Sequence, residues 1–164
     1  MQAILCDELL KNGVQARVVS IEHLDELKRD MERTYAESGM SDRFSAFLRR
    51  CYDFNVPENL PHARSIIIAA VKCPGASVLF NYKGKKIPLS LPPTYVDMFQ
   101  APKRIMEQIK GLLESYGYKA AEARLPMKLL AVRSGLGFYG RNNICYIPGM
   151  GSFAQLAAFY SDIP

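Results

Sequence analysis

Between residues 135 and 143 the sequence reads Gly135-Leu136-Gly137-Phe138-Tyr139-Gly140-Arg141-Asn142-Asn143. Glycines permit positive φ and let another surface approach the backbone closely. Here three stand within six residues, with Arg133 just before them and Arg141 and two asparagines just after. Backbone amides, asparagine side chains and positive charge together suit a loop pressed against a large ligand. The same pattern suits a tight connector from a helix to a strand, and spacing alone leaves both readings open. As a dinucleotide fingerprint the segment fails. G-x-G-x-x-G belongs between a strand and a helix, with an acid about 20 residues onward; here a helix is expected before it and a strand after it.

Other chemistry-bearing residues are scattered. Glu122, ahead of Leu125-Pro126, suits either a general acid or a solvated strand carboxylate. His23 falls on an expected helix and His62 in a proline-bounded loop, neither with a partner in sequence. Tyr139, Tyr146 and Tyr160 suit a pocket lining or a core. Nucleophile elbow, phosphate loop and metalloprotease motif are all missing. Cysteines stand at 6, 51, 73 and 145 with no C-x-x-C pair, so they read as reduced thiols and no metal site is expected in this chain.

The charge is unevenly distributed. Residues 1–60 hold 8 Lys/Arg against 11 Asp/Glu, whereas residues 61–164 hold 13 against 5. A basic second half suits a partner bearing phosphates, RNA included, or else a solvated surface. No apolar run reaches the roughly 18 residues of a membrane span, and the start, Met1-Gln-Ala-Ile-Leu-Cys-Asp-Glu, carries acid where a signal peptide carries base. A cytoplasmic protein with no membrane partner is expected.

These residues need a scaffold, and 164 residues suffice for one domain with its own core. The first part, residues 1–54, reads as mainly helical. A helix is expected over 2–11, closed by Asn12-Gly13, then a strand around Val18-Val19. Ser20 is the expected N-cap of a long helix carrying Ile21, Leu24, Leu27, Met31 and Tyr35 on one face, and Ser41 or Asp42 that of a second carrying Phe44, Phe47, Leu48 and Cys51. Residues 55–164 form the sheet-containing part with the glycine segment. Ser65–Val71 is an apolar, β-branched run that fits a central strand buried on both faces. Val78–Tyr82 and Lys85–Leu89 flank Lys83-Gly84 as a hairpin, with Pro88 limiting its second strand. Pro92-Pro93 marks a loop. A helix follows from Pro102 with Ile105, Ile109, Leu112 and Tyr116 on one face, closed by Gly117. Strands are expected at 118–124, 143–147 and 153–160, and a short helix at 126–133. Interspersed helices and strands predict an α+β fold, an α/β sandwich with one mixed sheet flanked by helices.

The stretch Leu125-Pro126-Met127-Lys128-Leu129-Leu130-Ala131-Val132-Arg133-Ser134-Gly135-Leu136-Gly137-Phe138-Tyr139-Gly140-Arg141-Asn142, followed by Gly151-Ser152, resembles the cobalamin-binding domain of the epoxyqueuosine reductase family and its uncharacterised iron–sulfur relatives. Pro57-x-x-Leu60-Pro61-x-Ala63-Arg64-Ser65-Ile66-Ile67-Ile68 is similar to that family more loosely. The resemblance implies a fold similar to flavin nitroreductases and cobalamin-trafficking proteins. It also implies an oxidoreductase domain holding cobalamin, fed with electrons by 4Fe–4S clusters in a C-terminal ferredoxin-like domain or separate partner, and acting on a tRNA nucleoside. Carried over by motif, Arg133, Gly135, Leu136, Gly137, Gly140, Arg141 and Asn142 lie along the corrinoid site. A Cβ at Gly137 is then expected to block the ligand while leaving the fold largely intact. The family's acid sits in an Asp-x-x-Pro-like context that Glu122 matches approximately. This chain ends, at Ser161-Asp162-Ile163-Pro164, about where the family's cysteine-rich region begins, so that domain is expected outside these residues. A non-catalytic corrinoid or flavin binding or trafficking module and a basic RNA-binding accessory domain are the competing expectations.

Overall fold

The computed structural model describes residues 1–91 and 100–164; the loop expected at Pro92-Pro93 lies outside the described residues. Helices α1 (Gln2–Lys11), α2 (His23–Glu37), α3 (Asp42–Cys51), α4 (Gln100–Glu114) and α5 (Met127–Arg133) surround strands β1 (Val14–Ser20), β2 (Ser65–Lys72), β3 (Ser77–Tyr82), β4 (Lys85–Ser90), β5 (Ala120–Glu122), β6 (Phe138–Tyr139), β7 (Cys145–Tyr146) and β8 (Ala154–Ser161). The main sheet has the order β1-β2-β8-β5, and β3-β4 and β6-β7 form separate two-stranded ribbons. The α+β sandwich is therefore as expected.

The apolar run of β2 has a direct cause. Ile66, Ile68 and Ala70 join a core beneath α2 and α5, whereas Ile67 and Ala69 join a second core beneath α1 and α4. Side chains alternate across a strand, so a strand covered on both faces must be apolar at every position. β8 repeats the pattern, with Ala158 and Tyr160 on one face and Ala157 and Phe159 on the other.

Every pairing in this sheet is antiparallel, which corrects the expected mixed sheet. The reason lies in the connection after β1. It leaves at Ser20, passes through α2 and α3, and returns at Ser65, the residue paired with Ser20. Two helical segments bring the chain back to the end it left, so β2 runs against β1. The same pairing joins the two expected parts, because β1 lies within residues 1–54 and pairs along all of its length with β2.

Local differences also have physical reasons. Ser20 is the last residue of β1 rather than a helix cap; its Oγ accepts from the Glu22 amide at 3.2 Å, and α2 begins at His23. Ser41 does cap α3, accepting from the Phe44 amide. No residue of α3 is buried, and Phe44 and Phe47 stack on each other 6.3 Å apart at its surface. The buried stripe of α4 is Ala101, Ile105, Ile109 and Leu113. Tyr116 falls outside it because the helix stops at Glu114 and Gly117 takes a left-handed φ of 77°.

All twelve residues of the β3–β4 ribbon are exposed. Lys83 and Gly84 both have positive φ, as a two-residue turn demands. Pro88 sits inside β4 instead of limiting it. Counting from the closing pair Tyr82–Lys85, bonded pairs alternate with non-bonded ones, and Leu79–Pro88 is non-bonded, so the missing N–H interrupts nothing. At the other side of the molecule the Gln2 side-chain amide donates to the Pro164 carbonyl at 2.7 Å, and Ile163 is fully buried beneath α1 and α4.

Removing core volume should separate sheet from ribbon. Ile67→Ala is expected to lower stability by about 2–5 kcal/mol, whereas Ile87→Ala, on the exposed ribbon, should change it by less than about 0.5 kcal/mol. Urea unfolding of both variants measures the contrast, and equal losses would show the ribbon to be packed.

Candidate functional site

The segment that drew attention in the sequence starts as a helix with a defined stop. Leu130 and Ala131 of α5 are buried in the core. Beyond Ser134, Gly135 adopts φ 72°, its amide donates to the Val132 carbonyl at 3.1 Å, and the Leu136 amide donates to the Ala131 carbonyl at 2.9 Å. That pair of bonds is a Schellman motif, in which a left-handed residue turns the chain and an apolar residue then packs back on the helix. Leu136 fulfils the second role and is 2% exposed. Gly135 and Leu136 therefore close α5.

Gly137 and Gly140 meet the chain's own atoms. A Cβ on Gly137 would lie 2.7 Å from Ile147 Cδ1, 2.8 Å from the Tyr146 carbonyl oxygen and 3.0 Å from Cys145 Sγ. One on Gly140 would lie 2.5 Å from Tyr146 Cε2. The close approach that these glycines permit is thus that of β7 to β6. The expectation that the fold tolerates a larger residue at 137 is corrected accordingly.

What the ribbon β6–β7 offers outward is different. Phe138, Tyr139 and Ile144 are exposed, and Phe138 stacks on Tyr146 with centroids 5.9 Å apart. The turn between the strands is built by its own polar groups: Gly140 N donates to Ile144 O, Asn142 Oδ1 accepts from Ile144 N at 3.2 Å, and Asn143 has φ 59°. Lys128 Nζ donates to the Asn143 carbonyl at 3.3 Å, tying the turn to α5. Arg141 is exposed at this tip and has no partner among the described residues. Burial, with Cys145 and Tyr52 nearby, pushes the Tyr139 hydroxyl's pKa up.

Arg133 points elsewhere. It pairs with Asp30 of α2, which also takes Arg33 at 2.9 Å. The pair borders a cleft of about 220 Å³ between α2 and α5, with His23 and Glu26 on its rim. His23 Nδ1 lies 2.9 Å from Glu26, and that hydrogen bond holds the Glu26 carboxyl below its ordinary pKa.

Glu122 is separated from all of these. Ala121 and Ala123 face the core beneath α2 and α5, so Glu122 between them turns to the α4 side, with Phe159 as its cross-strand partner. It borders three adjoining clefts along the β5 edge of the sheet, and none of residues 133–142 lines any of them. The residues singled out from sequence thus fall in four places: Glu122 at the sheet edge, Arg133 between helices, Gly135, Leu136, Gly137 and Gly140 serving the chain's own turn and packing, and Arg141 and Asn142 at a ribbon tip.

Sequence reasoning missed Asp53 and the role of Tyr160. The loop after α3 docks on the end of β5, with Asp53 N donating to the Arg124 carbonyl at 2.8 Å and Arg124 donating to the Arg50 carbonyl at 2.9 Å. Asp53, Asn55, Glu58 and Glu122 then surround a cleft of about 290 Å³ with Tyr160 against it. The residues are far apart in sequence, and only the Asp53-x-Asn55 turn gives a local signal. Among the described residues no three His, Cys, Asp or Glu side chains converge as metal ligands, and no helix is long and apolar enough to cross a membrane.

No protein-family model matches the chain, and no curated protein matches it. Solved structures do. An epoxyqueuosine reductase from Bacillus subtilis, with its catalytic loop swung out of the active site, matches at TM-score 0.64 and 17% identity over 99% of this chain and 45% of its own. An epoxyqueuosine reductase with an epoxyqueuosine-modified tRNA-Tyr stem loop gives the same figures, and one from Streptococcus thermophilus gives TM-score 0.62 at 17% identity over 99% and 46%. The chain is thus similar in fold to less than half the length of these proteins.

The glycine geometry makes a direct prediction. Gly137→Ala should lower stability by about 1–3 kcal/mol through overpacking against β7, and Gly135→Ala by about 1–2 kcal/mol through its left-handed φ. Thermal and urea melts of both variants check this; a Gly137→Ala protein as stable as the parent would mean that Ile147 and the β7 backbone yield freely.

Proposed function

We propose that this chain is the corrinoid-binding part of an oxidoreductase of the epoxyqueuosine reductase type, working with iron–sulfur clusters held outside residues 1–164. The observation that carries this reading is the fold, similar over nearly the whole chain to several epoxyqueuosine reductases. The exposed side chains of the β6–β7 ribbon suit such a ligand. A corrinoid has a broad apolar ring edged with amides and an anionic tail, and the exposed Phe138, Tyr139 and Ile144 lie beside Asn143 and the uncommitted Arg141. These residues would hold the group, aromatic side chains supplying contact area at little entropic cost and Arg141 a charge for the phosphate. When bound, it supplies a cobalt centre able to take up electrons and pass them to a substrate.

The chain's own contribution is binding, positioning and proton supply. Gly135, Leu136, Gly137 and Gly140 act indirectly, by fixing the ribbon on α5. A general acid must reach the reacting atom and hold its proton at working pH. Glu122 borders the open edge of the sheet without an ion pair among the described residues, so a substrate entering there would itself have to exclude water around it. Its distance from the ribbon in the fold favours a second reading, a corrinoid or flavin binding module without chemistry of its own. The lysines of the β3–β4 turn, Lys83, Lys85 and Lys86, give an RNA substrate a place to rest its phosphates, and one of the similar structures contains a tRNA stem loop.

Absorbance titration with cobalamin under reducing conditions tests the main reading. The parent protein is expected to shift the cobalamin spectrum saturably, and the double variant Phe138→Ala/Arg141→Ala to bind about tenfold or more weakly with an unchanged melting temperature. No spectral change with the parent protein would overturn corrinoid binding. In a separate filter-binding assay, tRNA affinity should fall steeply between about 50 and 200 mM salt, and Lys83→Ala/Lys85→Ala/Lys86→Ala should flatten that slope. A protein that ignores tRNA at low salt has a merely solvated ribbon.

A further inference from the structure

The cleft at the β5 edge carries chemistry that the reading above does not use. Asp53 and Glu58 bring two carboxylates to it, Glu122 stands at its sheet-edge border, and none of the three has an ion pair among the described residues. The cation on its wall, Arg124, has its Nη2 turned to the carbonyls of Arg50 and Cys51 at 2.9 and 3.4 Å. Most of the cleft wall is the 53–58 loop, which belongs to the acidic first part of the sequence and supplies Asp53 and Glu58. In low-dielectric walls such a concentration of one sign focuses the field and draws in the opposite charge.

A second observation is independent of the carboxylates. Tyr160 is 2% exposed, lies against this cleft, and its hydroxyl has no hydrogen-bond partner. Buried hydroxyls are nearly always satisfied, and one that is not lowers stability until a partner arrives. Burial, and then the nearby Asp53 carboxylate, push its pKa up to about 12, so it stays a neutral phenol able both to accept and to donate. Asp53 Oδ1 accepts from Asn55 N and Nδ2 at 3.0 and 2.8 Å, which leaves Oδ2 to face another group.

We infer that this cleft binds a small organic ammonium ion, with Asp53 and Glu58 as its counter-charges and the Tyr160 hydroxyl as the buried acceptor. An N–H⁺ donates to the phenol oxygen while the phenol proton turns to Asp53, satisfying both buried groups at once. Access to this hydroxyl, which is sealed from solvent here, requires the 53–58 loop to move outward as the ligand binds. A volume of about 290 Å³ suits a di- or polyamine better than a bare ion, and no metal-ligand set converges here among the described residues. The site has Glu122 of the proposed redox reading at its border but requires neither corrinoid nor clusters.

The test is calorimetric titration of the full chain with spermidine, without cobalamin, so that its failure and that of corrinoid binding are told apart. Saturable one-to-one binding is expected, with 1,4-butanediol, an uncharged diol, not binding. Tyr160→Phe should weaken spermidine about tenfold, as loss of a hydrogen bond to a charged group does, while its melting temperature holds or rises because an orphan hydroxyl is gone. A merely structural tyrosine would not give that combination. Glu58→Gln, at an exposed position, should weaken binding severalfold and serves where the tyrosine variant misfolds. Absence of saturable binding at millimolar spermidine, equal binding of butanediol, or variants that bind like the parent would overturn the assignment.

Discussion

Alternate residues of β2 belong to two different cores, and the rest of the molecule is arranged around that division. Ile66 and Ile68 look toward α2 and α5, Ile67 and Ala69 toward α1 and α4. A shift of one residue in register would exchange the two sets, so the pairing of β2 with β1 and with β8 is fixed along its whole length. The division then propagates. Through β8 it sends Tyr160 to one face and Phe159 to the other, and through β5 it sends Ala121 and Ala123 inward on one side and Glu122 outward on the opposite one. The separation of Glu122 from the glycine segment is a consequence of strand alternation begun several strands away.

Within the glycine segment, closing the backbone takes precedence over meeting a ligand. A helix end leaves carbonyls unsatisfied, and Gly135 with Leu136 satisfies two of them before the chain is free to do anything else. Gly137 and Gly140 then admit β7 at distances no side chain could share. Only after these demands are met does the ribbon present Phe138, Tyr139 and Arg141 to the outside. The residues available for binding are therefore those between and beyond the glycines.

This ordering explains how far the sequence could be read. Ser65–Val71 was legible as a doubly buried strand because burial on both faces leaves an unbroken apolar run, and Lys83-Gly84 as a turn because few residues accept two positive φ angles in succession. Pairing direction was not legible, since the two expected helices between the strands could return the chain to either end of the sheet, depending on how they pack. The face of α4 was read partly askew because Tyr116 continues the apolar spacing beyond the point where Gly117 ends the helix. At the candidate site, Gly137 and Gly140 signalled close packing and Gly135 a left-handed turn, but nothing local could say what packs against them. Asp53 and Tyr160 stand more than a hundred residues apart, and nothing local to either announces the other.

The hydrogen bond from Gln2 to the carbonyl of Pro164 brings the first and last residues of the sequence together, with Ile163 anchoring the last strand's extension in the core. Residues 2 and 164 thus lie side by side in this fold. A few glycines would suffice to splice residue 164 to residue 1, and new ends opened at the Lys83-Gly84 turn, on the fully exposed ribbon, would leave both cores untouched. The order in which the strands are synthesised is thus separable from the architecture they form, and a circular permutant cut there should keep the same sheet.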